Sequence, residues 1–287
     1  MNVNDQTRSQ FSWDRLLSVA AVFIACVCLC AVPLRGQGIL ISPLIVYTSL
    51  LPGESRTVII TVYNDTNADL LFIVTKKDWD ARHDGSVEVL EPGTIASSLC
   101  DWFTFDKQEF EVKAGATEEL VLSITRPEDA LEAAYWGGFS IEPVGEISEV
   151  RLEEGVGFKV KAVFVGVILQ SDPTVVERSG RITAMDVQVA DSQPEGERTV
   201  AVSATVANTC RNILRTDVRF EVRDVSGNVV ATQELKDRAV LPNHARIFTA
   251  SFTADDWPPG QYLALVIVDY GGETLTGGQW PFEIPEE

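Results

Sequence analysis

The chain of 287 residues contains little of the chemistry that catalysis requires. It has only two histidines, His83 and His244, and two methionines. The sequence has no Gly-x-Ser-x-Gly elbow, His-Glu-x-x-His pair, phosphate-binding loop or Gly-x-Gly-x-x-Gly motif after a strand. Acidic pairs such as Glu118-Glu119 are neighbours on a predicted strand, so their side chains point to opposite faces and cannot flank one substrate bond. We therefore predict no catalytic residues, no cofactor and no enzymatic activity.

One acidic stretch, from Asp78 to Gly85, is the candidate for a metal site. Its carboxylates alternate with other residues, as they do in calcium-binding loops. Arg82 stands where such a loop needs an oxygen ligand, and the closing glutamate is missing at the required spacing. We interpret the stretch as a solvated turn at the end of a strand and predict no bound metal.

Basic residues are scarce. The 23 lysines and arginines stand against 42 acidic residues, which gives a formal net charge of −19. The first 38 residues hold Arg8, Arg15 and Arg35 against Asp5 and Asp14, so 20 basic and 40 acidic residues follow them. Phosphate binding needs clustered lysine and arginine, so this balance argues against a nucleic-acid partner and disfavours anionic lipid surfaces. The acidity favours solubility and leaves a basic partner as the alternative.

Cysteine is also scarce beyond the first 38 residues. Three of the five cysteines, Cys26, Cys28 and Cys30, lie within them, which leaves Cys100 and Cys210. One cysteine in each predicted domain cannot form a disulfide inside either domain. We expect both thiols to be buried as small hydrophobic side chains, with a bridge between the domains as the alternative.

The first 38 residues are typical of an export signal. Two arginines precede an apolar run from Leu16 to Val32, and small residues follow at Gly36-Gln37-Gly38. We predict a signal peptide over residues 1–38 and a periplasmic, cell-surface or secreted location. The run is nearly long enough to span a bilayer, so an uncleaved anchor is one alternative and lipidation of Cys26 is another. We expect membrane contact only through such an uncleaved or lipidated N-terminus.

The remaining sequence consists of short strands separated by turns. Segments such as Thr57 to Tyr63 and Asp217 to Arg223 alternate between apolar and polar residues, as half-buried strands do. Amphipathic segments with a helical period are absent. The predicted fold class is therefore all-β, with two tandem immunoglobulin-like β-sandwich domains after the signal peptide. Pro173 and its polar neighbours place the boundary between a domain over residues 39–172 and a second over residues 173–287.

The predicted first domain contains a series of motifs in a fixed order. These are Leu44-Ile45-Val46-Tyr47, Pro52-Gly53-Glu54, a strand ending in Tyr63-Asn64-Asp65, Val112-Lys113-Ala114-Gly115, and Thr125 to Ala130 before Tyr135-Trp136. Through these motifs, residues 39–170 resemble the PapD-like periplasmic chaperone superfamily. The resemblance implies a protein that binds an exported or surface protein during the assembly of surface structures.

The predicted second domain resembles bacterial immunoglobulin-like modules through Asp224 to Val230, Val240 to Pro242 and Pro258 to Tyr262. The order of the two domains is similar to that of the Gram-positive surface proteins that interact with WxL proteins. Those proteins usually carry a C-terminal membrane span, and this sequence contains no second apolar run of that length.

The chaperone resemblance also implies a site. Members of that superfamily bind a partner's strand along an exposed sheet edge, and two basic residues hold the partner's C-terminal carboxylate. The expected edge strand runs from Gly157 to Leu169, and its candidate binding residues are Phe158, Lys159, Val160, Lys161, Ala162 and Phe164. The apolar members alternate as candidate pockets, and the two lysines stand near one of the basic positions. The other position lies on the first strand, but Ile39 to Tyr47 has no lysine or arginine, so carboxylate capture needs a basic residue from across the cleft.

Three alternatives remain open at this point. Gly157 to Leu169 can be an ordinary core strand. The tryptophans can form a carbohydrate- or cell-wall-binding surface, and those beyond the leader are Trp79, Trp102, Trp136, Trp257 and Trp280. The chain can also be a purely structural component of an envelope complex.

Overall fold

The computed structural model describes residues 38–144, 148–151, 157–160, 162–191 and 198–286. The predicted signal peptide lies outside these residues except for Gly38, and Lys161 lies outside them as well. No helix in this described part of the chain is long and apolar enough to cross a bilayer.

The first twelve described strands form two facing sheets of ten strands, which make one sandwich, and a separate two-stranded hairpin. They are β1 (Ile39–Ser42), β2 (Ile45–Thr48), β3 (Ser55–Asn64), β4 (Leu70–Ala81), β5 (Val87–Leu90), β6 (Phe103–Phe105), β7 (Glu109–Val112), β8 (Thr117–Thr125), β9 (Ala134–Pro143), β10 (Ser148–Arg151), β11 (Gly157–Val160) and β12 (Phe164–Ser171). One sheet has the order β1-β3-β8-β6, and the larger one has the order β2-β12-β9-β4-β5, with β7 also on β4. Strands β10 and β11 pair only with each other among these elements.

The core of this first sandwich follows from the alternation in its strands. Ile60 and Val62 on β3 face inward, and so do Leu120 and Leu122 on β8. From the opposite sheet Phe139 on β9 meets them, and all five side chains are fully buried. Burial of each such side chain contributes roughly 1.5–3 kcal/mol, so the two sheets are held together mainly by this layer.

At Pro43 the chain passes from one sheet of the first sandwich to the other. Strand β1 pairs antiparallel with β3, whereas β2 pairs in parallel with β12, each at the edge of its sheet. Because proline has no N–H to donate to a ladder, Pro43 predicts an edge strand over Ile39 to Tyr47, and this edge position is confirmed for both segments.

Seven strands form the second sandwich. They are β13 (Gly180–Asp191), β14 (Arg198–Asn208), β15 (Leu214–Arg223), β16 (Val229–Val240), β17 (Ala245–Thr253), β18 (Gly260–Asp269) and β19 (Thr276–Ile284). The sheets have the orders β13-β14-β17 and β16-β15-β18-β19. Alternate residues such as Val202, Phe220 and Val266 are fully buried between them.

The prediction of an all-β chain built of two sandwiches is confirmed. No described sheet combines strands from both sides of Pro173. The sandwiches nevertheless belong to one compact unit from Ile39 to Glu287. The exact domain boundary stays a prediction.

The predicted continuous strand from Gly157 to Leu169 is wrong. Gly157–Val160 pairs back on Ser148–Arg151 as a hairpin, and the strand of the main sheet begins only at Phe164. Alternation alone could not detect this division, because both parts have the same period of two.

Cys100 and Cys210 are both buried, as expected, and both are free, so the alternative of a bridge between the domains is wrong. Burial, followed by the hydrogen bond to the Asp78 carboxylate, raises the pKa of the Cys100 thiol to about 11. At pH 8 about one thiol in a thousand is then ionised, and the thiolate is the reactive form.

We therefore expect Cys100 to resist maleimide labelling at pH 8 in the folded protein and to react once the chain is unfolded in denaturant. A Ser226→Cys variant at an exposed turn provides the reactive control, since that thiol should label at once. Equal labelling rates for the two thiols in the folded protein would contradict this prediction.

Candidate binding cleft between the sandwiches

An apolar cluster joins the two sandwiches. The outer face of the larger first sheet contributes Trp79, Ala134, Trp136 and Leu169, and the second sandwich contributes Ile213 and Leu241. The indole N–H of Trp136 donates to the backbone oxygen of Trp79 at 3.0 Å, and the indole N–H of Trp79 donates to Gly137 at 2.6 Å. Both indoles are therefore buried with their polar atoms satisfied, which fixes their orientation.

The acidic stretch from Asp78 to Gly85 takes part in this contact. Asp78 is fully buried, and its carboxylate accepts hydrogen bonds from Thr94 N and Ser98 Oγ at 2.8 and 2.6 Å. Asp80 lies 2.8 Å from Nε2 of His244 on the second sandwich. The interpretation of the stretch as a solvated turn is therefore wrong for Asp78, whose carboxylate is buried and bonded to protein groups, whereas the Asp80 side chain remains 41% exposed.

His244 bridges the sandwiches through both ring nitrogens. Nδ1 lies 2.8 Å from the carbonyl oxygen of Pro242, and Nε2 lies at the same distance from Asp80. Both ring nitrogens therefore lie within hydrogen-bond distance of an oxygen atom, one in the second sandwich and one in the first. The ring also lies edge-on to Trp136, with 5.9 Å between the ring centroids.

The tip of the β4–β5 hairpin rests on the start of β17. The backbone N–H of Ile247 donates to the carbonyl of His83 at 2.6 Å. Gly85 has a φ of +82°, and a side chain there would overlap the Arg246 guanidinium. Glycine is suited to this turn both by its backbone conformation and by the close approach of Arg246.

A cavity of about 220 Å³ lies beside this contact. The first sandwich lines it with Ile45, Tyr47, Trp79, Ala81, Gly85, Val87, Val167 and Leu169, and the second with Asp237, Arg238, Ala239, Leu241 and Arg246. Its first wall is thus almost wholly apolar, and its second wall carries charge. Ile45 at its rim is 56% exposed, and Val87 is 42% exposed, so the cavity opens onto an apolar surface.

Arg246 is the least satisfied charged group of this cavity. Its Nη1 donates to Ala239 O at 3.1 Å and its guanidinium lies 5.4 Å from the Phe248 ring centre, but its buried Nε has no acceptor among the described residues. Burial, and secondly the nearby charge of Arg238, lower the pKa of the Arg246 guanidinium. A buried donor without an acceptor costs free energy.

The one acidic residue of the cavity is already paired. Asp237 accepts a 2.6 Å hydrogen bond from Arg215, whose guanidinium lies 4.3 Å from the Tyr47 ring centre. Burial, then the Asp237 charge, raises the pKa of Tyr47, so this ring stays neutral. Among the described residues no carboxylate lies within ion-pair distance of Arg238 or Arg246. The cleft therefore carries positive charge in a strongly acidic protein.

The site residues predicted from the sequence lie in different elements. The backbone of Phe158, Lys159 and Val160 lies in β11 opposite β10. The structure does not describe the side chains of these three residues, and it does not describe Lys161. Ala162 precedes β12 and is half-buried. Phe164 begins β12 and packs against the first core.

Strand β12 has a partner on each side over only part of its length. Strand β9 pairs with it from Phe164 to Ser171, but β2 pairs with it only from Val167 to Gln170. Before Val167, the side of β12 that faces away from β9 has no partner strand among the described residues. Val163, just before this segment, is 50% exposed.

Arg215, Arg238 and Arg246 were not predictable as cleft residues from the sequence. Each lies on a strand with a period of two, where an arginine is normally interpreted as a solvated residue. No local signal identifies the second sandwich as the wall of a cleft.

The tryptophans do not line one groove in the described structure. Trp79 and Trp136 are buried between the sandwiches, Trp102 packs on Tyr135, and Trp257 packs on the second core. Trp280 is 45% exposed but lies on the edge strand β19 of the second sandwich. A sugar-stacking platform therefore has no support here.

No protein-family model matches this chain, and no curated protein matches it. Among solved structures, the class 5 fimbriae chaperone CfaA is 12% identical with a TM-score of 0.39, covering 87% of this chain and 100% of that one. The chaperone DraB of E. coli is 14% identical with a TM-score of 0.37, covering 87% and 98%. A chain of the CsuC–CsuE chaperone–tip adhesion subunit complex of Acinetobacter baumannii is 12% identical with a TM-score of 0.37, and the match covers 84% of this chain and 97% of that one. Such TM-scores describe a distant likeness of shape, and the function proposed below rests on the residues of this chain.

Proposed function

We propose that this protein is non-catalytic and extracytoplasmic, and that it binds an extended segment of an exported protein in the cleft between its sandwiches. Its role is chaperone-like, in the assembly of surface structures. The observation that carries the proposal is the unpartnered Nε of Arg246 beside an apolar wall. A partner that presents an apolar segment and a carboxylate matches both features.

Strand addition supplies the backbone contacts in this proposal. Among the described strands, none pairs with the outer side of β12 before Val167, and a strand added there would gain affinity from main-chain hydrogen bonds. The exposed apolar residues Ile45 and Val163 lie beside that position. Phe158, Val160, Ala162 and Phe164 remain the proposed side-chain contacts, with Lys159 and Lys161 as their charged neighbours.

The carboxylate at the partner's C-terminus is the anion proposed for Arg238 and Arg246. Arginine binds carboxylates through charge-assisted hydrogen bonds, which are roughly twice as strong as neutral ones. The apolar wall lowers the local dielectric constant and strengthens this attraction. In this proposal Arg238 and Arg246 hold the carboxylate in place of a basic residue opposite Lys159 or Lys161.

Site-specific cross-linking tests the proposal in the native envelope. With a photo-reactive amino acid at Val87, at the mouth of the cavity, we expect cross-links to the C-terminal peptide of an exported protein. Arg246→Gln should reduce their yield at least about tenfold, because it removes a buried charged partner. Arg181→Gln, at an exposed site on β13, is the matched control and should leave the yield unchanged.

The same photo-reactive group at Val225 controls for random contact, since this turn residue is 81% exposed and is not a cavity residue. The proposal fails if Val87 and Val225 give the same cross-links. It also fails if the yield at Val87 is insensitive to Arg246.

A further inference from the structure

We propose that the tip of the β4–β5 hairpin is a lid over Arg246. The lid consists of residues 80–88, from Asp80 to Glu88, and it must move off the second sandwich before a carboxylate can bind both Nε and Nη2 of Arg246. This inference rests on the proposed function, because it concerns how the partner's carboxylate gains access to the same cleft.

The hydrogen bonds of Arg246 determine which of its donors a carboxylate can use. Nη1 already donates to Ala239 O at 3.1 Å, and the buried Nε has no acceptor among the described residues. A carboxylate that binds a guanidinium in a bidentate way needs two parallel N–H groups. Only the side-on pair, Nε and Nη2, gives Nε an acceptor.

Gly85, at the turn of the lid, covers this side of the guanidinium. A methyl group added to Gly85 would lie 2.4 Å from Nε of Arg246 and 2.5 Å from both Cζ and Nη2. The backbone of Gly85 therefore lies directly against the atoms that a side-on carboxylate would contact. A carboxylate can reach Nε only after the lid has moved.

The base of the hairpin is fixed to the first sandwich, whereas the lid is not. Strand β4 pairs with β9 only as far as Lys77, and beyond it Asp78 is fully buried and the indole of Trp79 donates to Gly137 O. In the lid, the two strands pair only with each other among the described strands. A two-stranded ribbon is only marginally stable by itself, so the lid can pivot about Trp79 while the sandwich stays intact.

Two polar contacts between described residues hold the lid on the second sandwich. The backbone N–H of Ile247 donates to His83 O at 2.6 Å, and Asp80 lies 2.8 Å from Nε2 of His244. The Asp80 side chain is 41% exposed, so water screens its contact. A partner that forms a bidentate pair with Arg246 can therefore displace these contacts.

The closed lid makes the cleft selective. The apparent affinity for a ligand falls with the fraction of molecules whose binding site is open. A partner that also packs on the apolar wall, at Ile45 and Val167, gains free energy that favours opening. A small carboxylate lacks these contacts, so the lid favours a carboxylate that belongs to an apolar segment.

A disulfide across the lid contact tests the inference. Because Ile247 N and His83 O are 2.6 Å apart, the two Cα atoms lie within about 6.5 Å of each other, which a disulfide can span. The full chain with His83→Cys/Ile247→Cys is exported, and a photo-reactive amino acid at Ile45 reports binding in the native envelope. Ile45 lines the cavity, is 56% exposed and is not part of the hairpin.

We expect the oxidised form to give at least about tenfold fewer cross-links to an exported protein than the same variant after reduction, because a locked lid leaves no open molecules. The two forms have the same substitutions, so the comparison isolates the closure. The chain without the two added cysteines is the control, and its yield should not respond to the reductant.

Two substitutions at Asp80 test the opposite change. Asp80→Ala and Asp80→Asn remove the same charge, but only asparagine keeps an oxygen that His244 can contact. We expect Asp80→Ala to give about threefold more cross-links at Ile45 than Asp80→Asn, since a weaker contact leaves more molecules open.

Equal yields from the oxidised and reduced forms would overturn the proposal. So would a failure of the two cysteines to oxidise, because the closed contact would then be absent, or a yield for Asp80→Ala no higher than that for Asp80→Asn. If the cross-links at Ile45 still require Arg246 in these cases, the proposed binding cleft stands without the lid. If they do not require Arg246, the proposed function itself fails.

Discussion

Replacing Arg126 with methionine is expected to lower the free energy of unfolding by about 3–5 kcal/mol, because it breaks a buried ion pair. Arg126 is 2% exposed, and its Nη1 lies 2.9 Å from the Asp172 carboxylate and 2.8 Å from Leu50 O. Its Nη2 donates to the backbone oxygens of Ala130 and Glu132. Methionine restores most of the volume but none of these donors.

The loss of stability in Arg126→Met should also affect the contact between the sandwiches, because Asp172 lies just before the predicted domain boundary. Burial opposes its ionisation, but hydrogen bonds from Thr174 and Arg126 outweigh this and lower the pKa of the carboxyl. The backbone of Asp172 donates to Ala133, and its carbonyl accepts from Asn212 on the second sandwich. Arg126 thus holds the residue through which the two sandwiches are connected.

Chemical denaturation of the native chain, Arg126→Met, Asp172→Asn and the double variant measures this effect. We expect the double variant to lose less than the sum of the single losses, since both single changes break the same pair. Lys113→Met, which removes a surface cation paired with Asp69 and Glu111, should barely move the midpoint. Equal effects of the Arg126 and Lys113 changes would contradict the role assigned to the buried pair.

Replacing Trp136 with alanine is expected to cost about 3–5 kcal/mol and to uncouple the two sandwiches. Its indole is buried between them, donates to Trp79 O and lies edge-on to His244. Alanine leaves a cavity at the centre of this contact. Trp79 and Leu169 on the first side then lose their packing against Leu241.

Calorimetry distinguishes this uncoupling from a simple loss of stability. We expect one unfolding transition for the native chain and two for Trp136→Ala, because each sandwich keeps its own core. Trp280→Ala removes the same side chain from a 45% exposed position on an edge strand and should leave a single transition near the native temperature. A single, uniformly shifted transition for Trp136→Ala would contradict the uncoupling.

Several features of the fold could be predicted from local sequence. Alternation identified Thr57 to Tyr63 and Asp217 to Arg223 as strands, because a strand exposes one face and buries the other. Pro43 identified an edge, since it cannot donate a hydrogen bond. The division of Gly157 to Leu169 into a hairpin and a main-sheet strand was not predictable, because both parts alternate in the same way.

The buried polar groups were also beyond local sequence. Gln170 is fully buried, and its amide is satisfied by Thr48 Oγ1, Leu50 and Ser171. Asp78 belongs to a stretch that suggested a solvated turn, yet its carboxylate accepts hydrogen bonds from Thr94 and Ser98, which follow it by 16 and 20 residues in the sequence. The partners of such groups are distant in sequence, so composition cannot show that their burial is satisfied.

The sequence by itself determined the all-β class and the edge position at Pro43, and it favoured the burial of Cys100 and Cys210, because each depends on the local period or on residue type. The tertiary structure alone decided that Arg238 and Arg246 face Tyr47 and Leu169 across a cleft. It also decided that the acidic stretch holds the second sandwich. The physical reason is that a period of two tells which side chains share a face, whereas the surface opposite that face depends on how separate sheets pack.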